Sequence, residues 1–408
     1  MAGTSEPRLD PETPSPRVQG DGASTLSIVV MSVLPLVLLG LVIALFATTG
    51  AGLNMKAPVP IESLTIERVV LAPGMITAHV RNSGPEELTI AQVSVNDSIW
   101  PATASPSSVI PRLGTATVTL QYPWVEGEAY RVLVLTSNAI AFEREIPIAF
   151  TTPEPTVGML LSFTLIGLYV GMIPVALGLL WYPALRRLGR RALIFLLAVT
   201  AGLLTYLGID SLAEALDQST RVAAPLQGLG LVGLGVIATF LLLTAITARQ
   251  GAIQRNDAAR RLSLAYMIAL GIGLHNLGEG LAIGAAYAVG EIALGAFLVI
   301  GFIIQNITEG LGIIAPILRD RPRLYHLVLM GLLAGVPTVV GAWAGGFIYS
   351  AVAATLFLAI GAGAVFQVVY EIAKLLIADN TKTPAPMLTF AGVTAGMLLL
   401  YVTGVLVK

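Results

Sequence analysis

His275-Asn276-Leu277-Gly278-Glu279-Gly280, read together with Gln305-Asn306-Ile307-Thr308-Glu309-Gly310, decides how this chain is read. Each hexad runs polar, Asn, two residues, Glu, Gly, and each lies deep inside a long apolar run. In hydrocarbon an ionisable side chain costs at least about 2 to 3 kcal/mol, so a carboxylate at that depth needs a partner. His275 and Glu279 are four apart, as are Gln305 and Glu309, and this spacing puts each pair on one helical face. Four donor atoms can then converge between two neighbouring helices.

Composition agrees with that depth. Of 408 residues 55% are hydrophobic and only 12% charged, which describes a polytopic membrane protein rather than a soluble one. The net charge of −1 gives no reason to expect a nucleic-acid partner. There is no cysteine, which excludes disulfides, thiolate metal sites and cysteine nucleophiles. Any metal must be held by nitrogen and oxygen.

Residues 1–25 are rich in Pro, Ser, Gly and charge and are expected to form a disordered cytoplasmic tail. The uncharged apolar run 26–48 has the length of an anchor transmembrane helix; removal by a peptidase within 47–52 is the alternative. From 56 to 152 short alternating runs are separated by turn-formers such as Ala72-Pro73-Gly74 and Asn82-Ser83-Gly84-Pro85. Around seven strands so spaced predict a small extracytoplasmic all-β sandwich. The segment around Val80–Gly84 is loosely similar to immunoglobulin-like or CARDB-type domains. His79 alternates with apolar neighbours and is expected on the solvent side of a strand.

Eight further apolar spans follow, at 157–182, 192–216, 224–247, 262–289, 292–318, 326–348, 350–376 and 386–406. Alternate linkers collect the cations: Arg186, Arg187, Arg190 and Arg191; Arg249, Arg255, Arg260 and Arg261; Arg319, Arg321 and Arg323; Lys374 and Lys382. By the positive-inside rule those linkers are cytoplasmic in the cell membrane, and the sandwich and the C-terminus are outside. The span with His275 then runs outward and the span with Gln305 runs back, the pattern of an inverted repeat with its site at the junction. Glycines around the hexads are expected to permit close helix approach and local unwinding.

At these residues the chain resembles the ZIP family of divalent-metal transporters, and most of all its GufA-like branch. There the corresponding helices carry His-Asn-x-Pro-Glu-Gly and Gln-Asn-Ile-Pro-Glu-Gly. The resemblance covers 157–408, the eight-span unit, and implies that His275, Glu279, Gln305 and Glu309 hold the metal. It places Asn276, Asn306 and Thr338 at a second site. Gly278 and Thr308 stand where the family has proline, Asn306 where a binuclear member has Asp, and Thr338 where such a member has a bridging Glu. One strong site, with the second weak or absent, is therefore expected. Asp210 and Glu214 look like an acidic mouth or interfacial carboxylates, and Glu371 like an exit residue or a partner of Lys374. His326 is expected at the membrane edge.

One imidazole, two carboxylates and amide oxygens suit Zn²⁺, with Fe²⁺, Mn²⁺, Co²⁺ or Cd²⁺ as alternatives. The resemblance implies uptake toward the cytosol by a transporter, not an enzyme; no organic cofactor is implied and no P-loop is present. A membrane metal sensor or scaffold, and an intramembrane metallohydrolase using Glu279 or Glu309 as base, are the competing readings. The implied partners are the bilayer and a divalent ion, with a homodimer open as the oligomeric state. No pattern names a partner for the sandwich.

Overall fold

The computed structural model describes residues 25–49, 61–253, 256–288, 292–348, 350–382 and 385–407. The tail at 1–24, the stretch 50–60 with the far side of the cleavage alternative and the start of the sandwich segment, Arg255 and Lys408 lie outside them. Two compact units divide at residue 60. In the first, helix α1 (Thr25–Thr49) is apolar throughout and contains Pro35.

The second unit begins with nine short strands: β1 (Leu64–Ala72), β2 (Met75–Asn82), β3 (Leu88–Val95), β4 (Ser98–Trp100), β5 (Ala102–Ser105), β6 (Val109–Ile110), β7 (Thr115–Gln121), β8 (Tyr130–Thr136) and β9 (Ala141–Ile146). They pair antiparallel into two sheets, β1-β2-β7-β5 and β4-β3-β8-β9, with β6 added beside β3. Alternation drives this: in β2, Ile76, Ala78, Val80 and Asn82 are buried while Thr77, His79 and Arg81 are not. Ile76, Val80, Val93, Val118, Val132 and Val134 fill the space between the sheets. Nine strands rather than around seven arise because the edges are built from pieces of two to four residues, too short for alternation to be read. His79 faces outward and meets Thr117 Oγ1 at 3.3 Å. Burial, then the charge of Arg68, holds its imidazole below the ordinary histidine value, with Glu67 opposing.

The helical part follows as α2 (Val157–Gly167), a π-helical turn (Leu168–Met172), α3 (Ile173–Leu180), α4 (Tyr182–Leu185), α5 (Arg190–Ser219), α6 (Gly228–Ile253), α7 (Asp257–Ala288), α8 (Ile292–Ile314), α9 (Leu324–Ile348), α10 (Ala351–Lys382) and α11 (Pro386–Val407). Together they supply eight apolar helical stretches long enough to cross a bilayer, so the chain is a multi-pass membrane protein with a small all-β region. The linker expected between the spans 224–247 and 262–289 is helical at 248–253 and 257–261, because α6 runs to Ile253 and α7 starts at Asp257. Lys374, expected in a linker, lies inside α10.

Burial differs sharply along the bundle. Within its apolar window α7 is 78% buried, whereas α11 is 17% buried. An interior position for α7 follows from its contacts: it packs along α9 and against α10 and α8, while α5 packs on α10 and α11. Ala198, Leu204, Ile268, Ile272, Ile313 and Met330 belong to the apolar core between these helices. The sandwich is tied to the bundle at two points. Leu71 and Thr152 exchange hydrogen bonds of 2.8 and 2.9 Å, fixing the irregular segment that leads into α2. Arg68 Nη1 donates to Phe347 O at 2.9 Å, so a cation caps the last turn of α9.

Candidate metal site

Both hexads are continuous α-helix. The unwinding expected at their glycines does not occur, because without proline at 278 or 308 every backbone N–H there can join the helical ladder. The prolines lie in the partner segments instead. Pro174 has no N–H to offer Val170 O four residues earlier, and that carbonyl accepts Asn306 Nδ2 at 3.0 Å. Pro337 lies inside α9 and has no N–H to offer Leu333 O; one residue further on, the carbonyl of Ala334 accepts Asn276 Nδ2 at 3.1 Å. Each asparagine thus docks its helix on a proline-disturbed neighbour.

The closing glycine of each hexad completes that docking. A Cβ on Gly280 would stand 2.1 Å from Thr338 O of α9, and one on Gly310 would stand 2.4 Å from Val175 O of α3. Real Cβ atoms do not approach so closely, so only glycine lets these backbones meet. The carboxylate between asparagine and glycine is thereby fixed in depth and direction.

Six of the sequence-predicted residues meet. His275 Nε2 lies 3.3 Å from Glu279 Oε1. Gln305 Nε2 donates to Glu279 Oε1 at 2.7 Å and to Glu309 Oε1 at 3.2 Å, and stands 3.4 Å from His275 Nε2. Asn306 Nδ2 reaches Glu279 Oε2 at 2.9 Å, and Asn276 lies beside the Glu309 carboxylate. His275 is 6% exposed, Glu279 3% and Glu309 4%, so water cannot screen the two carboxylates.

One ligand atom from each of His275, Glu279 and Glu309 lies within 4.8 Å of the others. Ligands about 2.1 Å from a shared tetrahedral ion sit about 3.4 Å apart, so shifts of about an ångström suffice to close on one cation. The Gln305 amide now points its NH₂ at the centre, and half a turn about its last bond would offer Oε1 in its place. Glu309 Oε2, Asn276 Oδ1 and Asn306 Oδ1 are buried without a hydrogen-bond partner. Unpaired buried acceptors beside two carboxylates are costly unless a cation neutralises them.

The other predicted residues are placed differently. Thr338 is fully buried in α9, its hydroxyl without a hydrogen-bond partner and packed against Gly171 of the π turn. Asp210 is exposed on α5, within electrostatic range of His275. Glu214, also exposed, accepts from Gln218 Nε2 at 3.1 Å. Glu371 pairs with Lys374 at 2.9 Å. His326 meets Tyr266 Oη at 2.8 Å.

Sequence reasoning missed the π turn, the two docking carbonyls and a fully buried Gln367 on α10, whose Nε2 bonds Thr247 Oγ1 at 3.3 Å. Proline inside an apolar run was the available signal for Val170, four residues before Pro174; Ala334 and the Gln367–Thr247 pairing had none. No protein-family model and no curated protein matches the chain.

Proposed function

We propose that this protein is a ZIP-like divalent-metal transporter that carries Zn²⁺, or Fe²⁺, Mn²⁺, Co²⁺ or Cd²⁺, toward the cytosol. The observation that carries the reading is the buried convergence of His275, Glu279 and Glu309, with Gln305 at its centre. Ionisable groups buried inside a membrane-spanning bundle mark a substrate or ion path. Among nitrogen and oxygen donors, one imidazole with two carboxylates favours a borderline divalent cation, and the lack of thiolate disfavours Cu⁺.

In this reading α1 is the anchor and the arginine-rich ends face the cytosol, with the sandwich outside. Asp210 and Glu214 draw cations toward the outer mouth. The ion replaces water with His275 Nε2, Glu279, Glu309 and the turned Gln305 amide. Helices α7 and α8 and their partners then move against the rest to open the other side, where Glu371 lies. Neutral Asn276, Asn306 and Thr338 bring no charge of their own to a second ion, so transport proceeds through one strong site. Binding needs neutral imidazole and ionised carboxylates, and protons therefore compete with the metal.

The test is metal flux into liposomes holding the purified protein. His275→Ala and Glu309→Ala are each expected to abolish flux while leaving the protein folded and monodisperse. Undiminished flux in both variants would overturn site and function together.

A further inference from the structure

At the arginine-rich end of the bundle, the first turns of α7 and α9 and the segment 317–323 enclose an open pocket of about 390 Å³. The acidic residue that lines it is already neutralised, because Arg261 grips Asp320 through two hydrogen bonds of 2.6 and 2.9 Å. Tyr182 Oη also holds the Asp320 carbonyl. Arg321 and Arg323 on the rim are different. Both are exposed, and neither guanidinium has an ion pair or hydrogen bond among the described residues. The first amides of α9 add the positive end of a 25-residue helix on the same rim.

What lies next to the pocket identifies the occupant. From Leu324 the outer face of α9 exposes Val328, Leu332 and Val336 at four-residue intervals, with Tyr325 and Leu329 alongside. Twelve residues of helix span about 18 Å, the length of an acyl chain. A soluble anion would use the cations and ignore this stripe; a lipid would use both. We propose that the pocket binds the phosphate headgroup of an anionic phospholipid, one of whose acyl chains lies along the Leu324-Val328-Leu332-Val336 face. Such a lipid would brace the start of α9 against α7. The inference does not depend on metal transport.

Native mass spectrometry of the full chain in detergent, titrated with phosphatidylglycerol or phosphatidylcholine, tests it. Phosphatidylglycerol is expected to bind preferentially. Two juxtamembrane charges at about fivefold each predict a loss on the order of 25-fold in Arg321→Gln/Arg323→Gln. Arg187→Gln/Arg191→Gln, which removes the same charge from exposed positions outside the pocket, should lose less than about threefold because of screening. Equal losses in the two double variants would overturn the proposal by showing only a diffuse surface attraction. Binding of glycerol phosphate as tight as that of the lipid would overturn it too, by assigning the pocket to a soluble anion. Val328→Asn/Leu332→Asn should weaken the lipid and leave glycerol phosphate unchanged.

Discussion

The two hexads are one device built twice. In the α7 copy Asn276 docks on Ala334 O and Gly280 on Thr338 O, both of α9; in the α8 copy Asn306 docks on Val170 O and Gly310 on Val175 O, across the π turn and α3. Each partner is disturbed by a proline, Pro337 in one and Pro174 in the other. The copies part company in their first residue and in their burial. His275 can give a metal its one nitrogen, whereas Gln305 is half-buried and now acts as a hydrogen-bond donor between the carboxylates. Docking is therefore shared between the copies, and the chemistry is divided.

The largest expected effect breaks that division. His275→Ala or Glu309→Ala should weaken Zn²⁺ binding, measured by calorimetry, by more than about 100-fold, since even outer-shell changes cost 10 to 100-fold. The exchange His275→Gln/Gln305→His moves the imidazole to the other helix. If the copies are equivalent around one ion, the exchange should retain affinity within about tenfold of wild type; a loss as deep as that of His275→Ala would show that they are not.

Docking is challenged next. Gly280→Ala and Gly310→Ala each press a methyl into a backbone carbonyl and should cost about 1 to 3 kcal/mol, seen as lower melting temperatures in detergent. Gly280→Ala should be the worse, since its contact is the closer. Melting temperatures unchanged in both would refute the close approach.

Protonation is a finer probe. Because protons compete for the imidazole and both carboxylates, Zn²⁺ affinity should fall steadily as pH drops from 7.5 toward 5.5, the range in which histidine ordinarily titrates near about 6.5. His275→Gln should flatten that dependence. Smallest is the link to the sandwich: Arg68→Ala removes a helix-capping cation worth about 0.3 to 1 kcal/mol and should lower the melting temperature slightly without touching metal affinity.

Much of this was legible in the residues. The eight apolar runs mark membrane-crossing helices because hydrocarbon demands length and apolarity, and the i, i+4 pairs mark one face because helix geometry is local. What the residues could not display was contact between distant segments. Glycine at the hexads signals both close helix approach and local unwinding; the approach is found at Gly280 and Gly310, and the unwinding is not, while the prolines act in the neighbouring segments, freeing Val170 O and lying three residues beyond Ala334. Glu371 and Lys374 are three apart on one helix, so their pairing was readable from spacing alone. The short strands β4, β5 and β6 escaped because two to four residues carry no usable period.

The central claim is that one cation belongs between α7 and α8. Anomalous scattering at the zinc edge, from crystals of the full chain grown with Zn²⁺, addresses it most directly. A single strong peak bounded by His275 Nε2 and the Glu279 and Glu309 carboxylates, lost in His275→Ala, is the predicted result. Peaks confined to exposed carboxylates such as Asp210 and Glu214, with none between the two helices, would contradict it.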